Sequence, residues 1–512
     1  MTTKKVTRNL QYKPLLLSTT MRNPERIGPF LRVLKKFDGK VLTNELATEI
    51  AGQLIKEGLY EPTKVSELIK QKWKESVELS DLEVLEILEN NPQNHKQAGF
   101  DYSWPSRFAT QFGLIKTFGF AYYEIGQPIQ FSKLGNLYID DAHPENEQLC
   151  FLNAFVNYHR KNPFQRVMNR NRPLILLLQV LRKLESEAGI DSPGIGRHEL
   201  PLLLVWRDND SDALFNEIMK LRKAYGFQPS SEVIFELCEQ ISGGWHNAIT
   251  MKTIVSELPD EILRKLRLTG LFSLRGEGRF LSINQDSSQT VDLILTKHLE
   301  IYDFESEREY FDFASNVDEE LIAESAESIP RNAVADVHML DEWIRYFGEE
   351  SIRAELKILG GSKKNSADPI LKLINQPLRL EFLTSLLLRI IFKHCEVVPN
   401  YRRDDTGLPI SHAPGNYPDI EMYFPKESAA TQLLDLYEVT MINGTGQLSR
   451  EMIPITRHLQ DKISLGFDAK VIFMAPSISK DAYRYVDYLK TVDSLTIIPQ
   501  SITDFANSQL IT

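Results

Sequence analysis

The spacing of apolar residues changes character twice along the chain. Residues 1–285 combine helical periodicity with two short hairpin signals, residues 286–366 are helical in pattern and acidic, and residues 367–512 alternate helices with strands. These changes predict a multidomain protein. It would have an α+β region at 1–285, divided near residue 145, a mostly helical acidic linker at 286–366 and an α/β domain at 367–512. Gly360–Ser366 (GGSKKNS) has the composition of a hinge.

Two stretches of the first region share one design. Ser103–Ile139 and Ile254–Asn284 each read as a helix that stops at a glycine, followed by two short strands around a glycine turn. A winged helix-turn-helix module ends in this way, and its helix can enter the major groove of DNA. Ordinary small α+β units give the same pattern, so both interpretations stay open at this point.

The helix in the first of these stretches carries long polar side chains beside an apolar stripe. Phe108, Phe112 and Ile115 mark the buried stripe. The side chains expected on the polar face, and therefore the candidates for DNA contacts, are Arg107, Gln111 and Lys116. Arg22 and Arg170 are further candidates in the same region, since arginines can neutralise phosphates.

The charge distribution does not decide for or against a nucleic-acid partner. The net charge is −11, but residues 301–350 alone hold 15 acidic and 3 basic groups, whereas residues 1–300 hold 37 acidic and 38 basic groups. A basic surface is therefore compatible with the total. No apolar run approaches the roughly 20 residues that span a bilayer, the first residues do not predict a secretory signal, and the three cysteines lie far apart. We expect a cytoplasmic protein without a membrane partner.

The α/β domain contains acidic residues on two neighbouring predicted strands. Asp419 begins the strand in HAPGNYPDIEMYF, and Glu438 lies near the end of QLLDLYEVT. Carboxylates on adjacent strands can converge on one divalent cation, and hard oxygen ligands favour Mg²⁺. Asp419 and Glu438 are thus predicted metal ligands, with the backbone carbonyl of Val439 beside them. Taken singly, each has an ordinary alternative, a turn residue for Asp419 and a surface strand residue for Glu438.

Three further residues belong to the same candidate set. Glu451 and His458 are seven residues apart, about two helical turns, and can share a face if Pro454 lies in the first turn of the helix. Glu381 lies among leucines in a helix predicted at 369–394. Separately, Glu381 could be a solvent-facing position and His458 a hydrogen-bonded structural histidine. The hypothesis rests on the occurrence of all these residues together and in this order.

These motifs resemble the AlwI-like type IIS restriction endonucleases, a family that includes strand-specific nicking enzymes. HAPGNYPDIEMYF, YEVT and REMIPITRH occur in the order and spacing of that family, and the shorter STTMRNPERI, KTFGF and LTGLF also match in order. The resemblance implies a restriction-endonuclease-like (PD-(D/E)XK) nuclease domain behind a winged-helix-like DNA-recognition region. It also implies Asp419, Glu438 and the Val439 carbonyl as metal ligands, with Glu381, Glu451 and His458 as the supporting active-site residues.

One position departs from the wider nuclease pattern. Thr440 stands where a lysine usually helps to activate the attacking water, although the AlwI-like family shares this form. Glu451 or His458 would then take that role.

The expected function is Mg²⁺-dependent hydrolysis of double-stranded DNA beside a short asymmetric site, leaving a 5′-phosphate. One active site cuts one strand, so double-strand cutting would need a transient homodimer on DNA or a second nuclease subunit. A cognate DNA methyltransferase is expected as a functional rather than physical partner. The alternatives are a nicking endonuclease and, further off, a non-catalytic winged-helix regulator that would leave the carboxylate set unexplained.

Overall fold

The computed structural model describes residues 10–18, 20–74, 77–140, 143–165, 167–188, 192–245, 249–327, 333–361, 365–425, 431–444 and 446–509. The chain is a mixed α/β protein with one extended apolar core and two smaller clusters. Within the described ranges, no helix combines the length and the apolar character that crossing a membrane requires.

The N-terminal part packs helices around a central helix, α5. Its elements are α1 (Ile27–Lys35), α2 (Asn44–Lys56), α3 (Glu67–Lys74), α4 (Asp81–Asn90), α5 (Trp104–Thr117), β1 (Ala121–Tyr122), β2 (Gln130–Phe131), α6 (Lys133–Tyr138) and α7 (Asn146–Asn157). The predicted stripe of Phe108, Phe112 and Ile115 is fully buried. Nine of the 14 residues of α5 are buried, among them Gln111. The expectation that Gln111 lies on an exposed polar face is therefore wrong.

The second helix–hairpin unit follows a helical layer. Its elements are α8 (Pro173–Ala188), β3 (Ile195–Gly196), α9 (Leu200–Val205), α10 (Ser211–Tyr225), α11 (Ser231–Ser242), α12 (Leu258–Leu268), β4 (Phe272–Arg275) and β5 (Phe280–Ile283). The predicted hairpin is confirmed, because β4 and β5 pair antiparallel and β3 extends the sheet in the order β3-β5-β4. The turn uses Gly276 and Gly278 at positive φ, where a side chain would be strained.

Helix α12 lies at the seam between the N-terminal and C-terminal parts. Arg264 Nε donates to the Lys372 carbonyl at 3.4 Å, and Arg267 Nη2 donates to the Pro409 carbonyl at 2.9 Å. The basic side chains of this helix therefore make contacts within the chain.

The acidic segment divides between two neighbours. It contains α13 (Ser288–Lys297), α14 (Glu307–Ala314), α15 (Glu319–Glu327), α16 (Ala333–Phe347) and α17 (Glu349–Gly360). Helices α13 to α15 pack against α5, α7 and α8, whereas α16 and α17 pack against the next helix, α18 (Gln376–Ile391). The C-terminal half of the predicted linker is thus attached to the α/β part, and part of the predicted hinge lies outside the described residues.

The C-terminal part is a five-stranded mixed sheet with helices on both faces. After α18 it contains β6 (Glu396–Pro399), β7 (Arg402–Arg403), β8 (Pro409–Ser411), β9 (Ile420–Tyr423), β10 (Leu433–Val439), α19 (Gly446–Arg450), α20 (Met452–Ser464), β11 (Asp468–Ala475), α21 (Lys480–Val492), β12 (Ile497–Ser501) and α22 (Ile502–Ala506). The strand order is β12-β11-β10-β9-β6. β10, β11 and β12 run parallel, and β9 runs antiparallel to β10 and β6.

The two faces of β10 have different environments. Leu434 and Leu436 pack in the cluster that includes α20 and α21, whereas Tyr437 and Val439 join the main core with α18. Because side chains alternate along a strand, Glu438 shares the α20 face of the sheet. Helix α18 begins at Gln376, later than predicted, because Asn375 caps it and Pro377 occupies its first turn.

Candidate active site

Asp419 and Glu438 meet where β9 and β10 pair. Ile420 is the partner of Tyr437 in the antiparallel register, so the next pair outward is Asp419 with Glu438. Residues directly opposite each other in such a pair project to the same face of the sheet. Asp419 Oδ2 also accepts a hydrogen bond from the Val439 amide at 2.7 Å. The structure therefore brings the two predicted ligands together and orients one of them.

Glu438 is buried and Asp419 half-buried, and both lie in a crowded group of carboxylates. Burial raises the pKa of Asp419 well above its ordinary value, and the charges of Glu381, Glu438 and Glu451 raise it further. Burial also raises the pKa of Glu438, and the hydrogen bond with His458 offsets only part of that rise. Without a cation, these surroundings thus disfavour ionisation of all the carboxyl groups at once. A bound cation would favour their ionised forms.

His458 lies on α20 beneath the two strands. Its Nδ1 atom is 2.7 Å from Glu438 Oε1, and its Nε2 atom is 3.3 Å from the Gly415 carbonyl oxygen. Burial lowers the pKa of His458, but the Glu438 carboxylate outweighs it, and the net pKa is raised. When Glu438 is ionised, both ring nitrogens face acceptors, and the protonated imidazole donates to both. In that state His458 is a cationic partner of Glu438.

Glu451 occupies the N-cap position of α20. The helix starts at Met452, with Pro454 in its first turn, as the sequence predicts. Thr440 Oγ1 donates to Glu451 Oε1 at 3.2 Å. Burial raises the pKa of Glu451, the Thr440 hydrogen bond lowers it, and the charge of Glu438 raises it again. Thr440 thus joins the end of β10 to this carboxyl group.

Glu381 reaches the same cluster from α18. Its Oε1 atom is 2.5 Å from His412 Nδ1, and its buried Oε2 atom has no hydrogen-bond partner among the described residues. Burial lowers the pKa of His412, but the adjacent carboxylate outweighs it, so the net pKa is raised. Sequence reasoning missed this histidine, although it begins the segment HAPGNYPDIEMYF.

A second ion pair lies on the same face of the sheet as the His458–Glu438 pair and joins α20 to β9. Lys462, one helical turn after His458, places Nζ 2.7 Å from Glu421 Oε1. Glu421 is opposite Leu436 on β10, so it projects to the α20 face as Glu438 does. Sequence reasoning missed this pair as well. The spacing of four between His458 and Lys462 on a predicted helix was the available signal.

The donor set fits a hard divalent cation. It offers carboxylate oxygens from separate elements, and one buried oxygen of Glu381 lacks a partner. Across the part of the chain that the structure describes, no three His, Cys, Asp or Glu side chains already form a metal cluster. A site with two carboxylates, a backbone carbonyl and waters needs no such triplet, and Mg²⁺ usually keeps several waters.

The predicted DNA-contacting residues lie in different surroundings. Lys116 donates to Glu307 at 2.8 Å and lies over the rings of Tyr122, Tyr123 and Phe164. Arg170 pairs with Asp303 at 2.8 Å on the surface, and Arg22 is exposed. Only Arg107 and Gln111 come together, lining one cavity of the N-terminal part.

Comparison with known proteins gives one family and several solved structures. The family profile described as AlwI restriction endonuclease matches residues 110–359 and 338–507. No curated protein matches. The small subunit of the heterodimeric restriction endonuclease R.BspD6I is 25% identical over 29% of this chain and 72% of its own, with a TM-score of 0.24. Restriction endonuclease FokI is 10% identical over 98% of this chain and 95% of its own, with a TM-score of 0.25. FokI bound to DNA is 12% identical over the same shares, with a TM-score of 0.21.

Proposed function

Because the chain belongs to the AlwI restriction endonuclease family, and is thereby a DNA-hydrolysing enzyme, we propose that it cuts DNA at the Asp419–Glu438 site. The activity is of type IIS, with cleavage a few base pairs from a short asymmetric sequence. The register that places these two carboxylates opposite each other is the observation that supports it most directly.

Enzymes of this family generally use divalent metal ions, and we assign Mg²⁺ here. Asp419, Glu438 and the Val439 carbonyl would hold it. When bound, Mg²⁺ lowers the pKa of a water ligand and stabilises charge on the phosphate and the leaving oxygen. The Val439 amide orients Asp419, and His458 holds Glu438 ionised and in place.

The proton of the attacking water goes to Glu451 in this proposal. His458 donates from both ring nitrogens, so it has no free lone pair with which to accept a proton. Glu451 has a raised pKa and lies at the end of β10, held by Thr440. It therefore replaces the lysine of the wider nuclease pattern as general base. Attack at phosphorus breaks the bond to the 3′ oxygen and leaves a 5′-phosphate.

DNA recognition belongs to the N-terminal part, with winged-helix-like subdomains. Arg22 can contact phosphate as it stands, since it is exposed. Lys116 and Arg170 would have to exchange Glu307 and Asp303 for phosphates. Arg107 and Gln111 act together in the cavity discussed below. A methyltransferase that protects the same sequence is the expected functional partner.

The decisive experiment compares wild type with two Asp→Asn variants of neighbouring strands on plasmid DNA and Mg²⁺. Asp419→Asn removes a ligand, and cleavage should fall at least about a hundredfold, the range found for groups that act directly on the reaction. Asp435→Asn is the matched control, because Asp435 is buried on β10 but projects to the opposite face. Undiminished cleavage by Asp419→Asn would remove this residue from the site.

One chain cuts one strand at a time, so the same plasmid distinguishes the two modes of cleavage. A transient homodimer predicts that linear product rises with the square of enzyme concentration at low occupancy, whereas nicked circles rise linearly. If only nicked circles form at any concentration, the chain is a nicking endonuclease, or it requires a second subunit.

A further inference from the structure

A second built site lies in the N-terminal part, away from the carboxylate cluster. A cavity of about 420 Å³ opens where α5 meets the turn before α1, the loop after α2 and the loop before α5. The half-buried side chains of Arg26, Tyr60, His95 and Arg107 form its rim, and the buried Gln111 forms its floor. None of the residues proposed for catalysis lines it.

The floor of the cavity carries an unsatisfied amide. Gln111 is 1% exposed, and neither its Nε2 nor its Oε1 atom has a hydrogen-bond partner among the described residues. Buried polar groups in folded proteins are nearly always paired, so an amide that lacks both partners calls for an explanation. Gln111 is one of the residues that line the cavity, so this donor and acceptor lie beside each other at its floor.

The rim adds donors. Arg107 Nη1 lies 2.9 Å from His95 Nε2. Because a guanidinium can only donate, His95 Nε2 accepts, and the proton of the neutral ring is on Nδ1. Burial lowers the pKa of His95 and the charge of Arg107 lowers it further, which keeps the ring neutral. His95 Nδ1 and Arg107 Nε are both buried, and in the described ranges neither has a partner.

Charge and aromatic surface define the kind of ligand. The Arg107 guanidinium lies 4.8 Å from the centre of the Tyr60 ring, and that of Arg26 lies 5.4 Å from the centre of the Phe30 ring. Two positively charged side chains at one opening favour a ligand that is part of a negatively charged molecule. A flat ligand with an adjacent donor and acceptor would satisfy the Gln111 amide.

We propose that this cavity receives one adenine of the DNA, unstacked from the duplex, with its edge on the Gln111 amide. The inference rests on the proposed function, since this adenine contact supplies part of the sequence specificity of cleavage. Glutamine pairs in a bidentate manner with adenine, which presents the N6 amino donor beside a ring acceptor. A base that stayed in the stack could not bring its edge to an amide this deeply buried. Enzymes that need such access extrude the nucleotide into a pocket.

The first experiment removes each side of the contact in turn. The recognition sequence is obtained by selecting random duplexes bound by the wild-type protein without divalent metal, and each adenine in it is then replaced by purine, which lacks the 6-amino group. At one of these positions, replacement by purine should weaken wild-type binding about tenfold or more. Gln111→Leu should lose a similar factor on the unmodified site and show no further loss with purine at that position. Gln179→Leu, a partly buried glutamine on α8 whose Oε1 also lacks a partner among the described residues, should bind as wild type does.

The second experiment tests extrusion. A mismatch opposite the identified adenine should tighten wild-type binding, because unpairing then costs less. A base read within the groove would instead bind more weakly when mispaired, and that result would overturn the proposal.

The outcomes separate the two levels of inference. If the wild-type protein neither selects a sequence nor cuts DNA, the proposed function itself fails. If it does both and Gln111→Leu keeps the same preference at every adenine, the cavity holds only ordered water and this inference is wrong.

Discussion

The Nδ1 atom of His458 lies 2.7 Å from Oε1 of Glu438, and the opposite edge of the same imidazole faces the carbonyl oxygen of Gly415. The protonated ring therefore stabilises the ionised form of a carboxylate whose pKa burial would otherwise raise further. Metal-binding carboxylates must be ionised, so in the proposed site this pair would couple the protonation of His458 to metal affinity.

Replacing His458 with glutamine should displace the pH dependence of cleavage. The variant lacks the positive charge, so the pKa of Glu438 rises and the acidic limb of kcat/KM moves to higher pH. At neutral pH, activity should fall about 10- to 100-fold, as for other groups that orient metal ligands. Profiles of kcat/KM against pH at saturating Mg²⁺ measure the effect. Loss of activity with an unmoved acidic limb would assign His458 a packing role only.

The carboxylate cluster should destabilise the metal-free protein as pH rises. The pKa values of Asp419, Glu438 and Glu451 are raised in the folded state. Such groups contribute full stability below the ordinary carboxyl pKa of about 4, and that stability is lost as pH rises through the raised folded-state values. Each unit of upward shift corresponds to about 1.4 kcal/mol.

Asp419→Asn should consequently melt at a higher temperature than wild type in EDTA at pH 8, while it no longer cleaves DNA. Mg²⁺ should raise the melting temperature of wild type and leave that of Asp419→Asn almost unchanged. Thermal unfolding between pH 5 and pH 8, with and without Mg²⁺, gives both comparisons. Asp435→Asn serves as control and should respond to Mg²⁺ as wild type does. Equal responses of all three proteins would contradict metal binding at Asp419.

Sequence reasoning anticipated those parts of the site that follow from local pattern. Alternation along the two strands places Asp419 and Glu438 on one face, and Pro454 requires Glu451 to precede the helix. The His412–Glu381 contact joins residues 31 apart in sequence, and only the folded chain brings them together.

Two other features escaped prediction for related physical reasons. Strand β6 is short and follows soon after α18 in the sequence. Its few residues do not show the alternation of apolar and polar positions that would predict a strand. A long polar side chain beside an apolar helical stripe predicts exposure, whereas Gln111 is buried on α5. Tertiary context, which the local pattern does not contain, decides both.

The Lys462–Glu421 pair should matter more for stability than for chemistry. Both side chains are largely buried, with 16% and 6% exposed. Removing Lys462 leaves the Glu421 carboxylate buried without its cation, with hydrogen bonds from Tyr423 and Asn400 remaining. Loss of one partner of a buried ion pair typically costs about 3–5 kcal/mol, whereas loss of both costs much less. Lys462→Met should therefore melt well below wild type, and adding Glu421→Leu should recover most of the loss. A double variant as unstable as Lys462→Met would show that the charge pair does not account for the effect.

Glu451→Gln tests the assignment of the general base against the alternative that Glu451 is a metal ligand. As a base it accepts a proton only in the transition state, so kcat should fall about 10²- to 10⁴-fold while DNA binding and the Mg²⁺ dependence stay near wild type. Thr440→Val removes the hydroxyl that donates to Glu451 and tests the same assignment with a smaller change. With that donor lost, the pKa of Glu451 rises, and the acidic limb of kcat moves to higher pH with only a modest loss of rate. Single-turnover cleavage across a series of pH values and Mg²⁺ concentrations separates the two roles. If Glu451→Gln instead needs far more Mg²⁺ and recovers full kcat at saturation, Glu451 is a ligand and the base must be sought elsewhere.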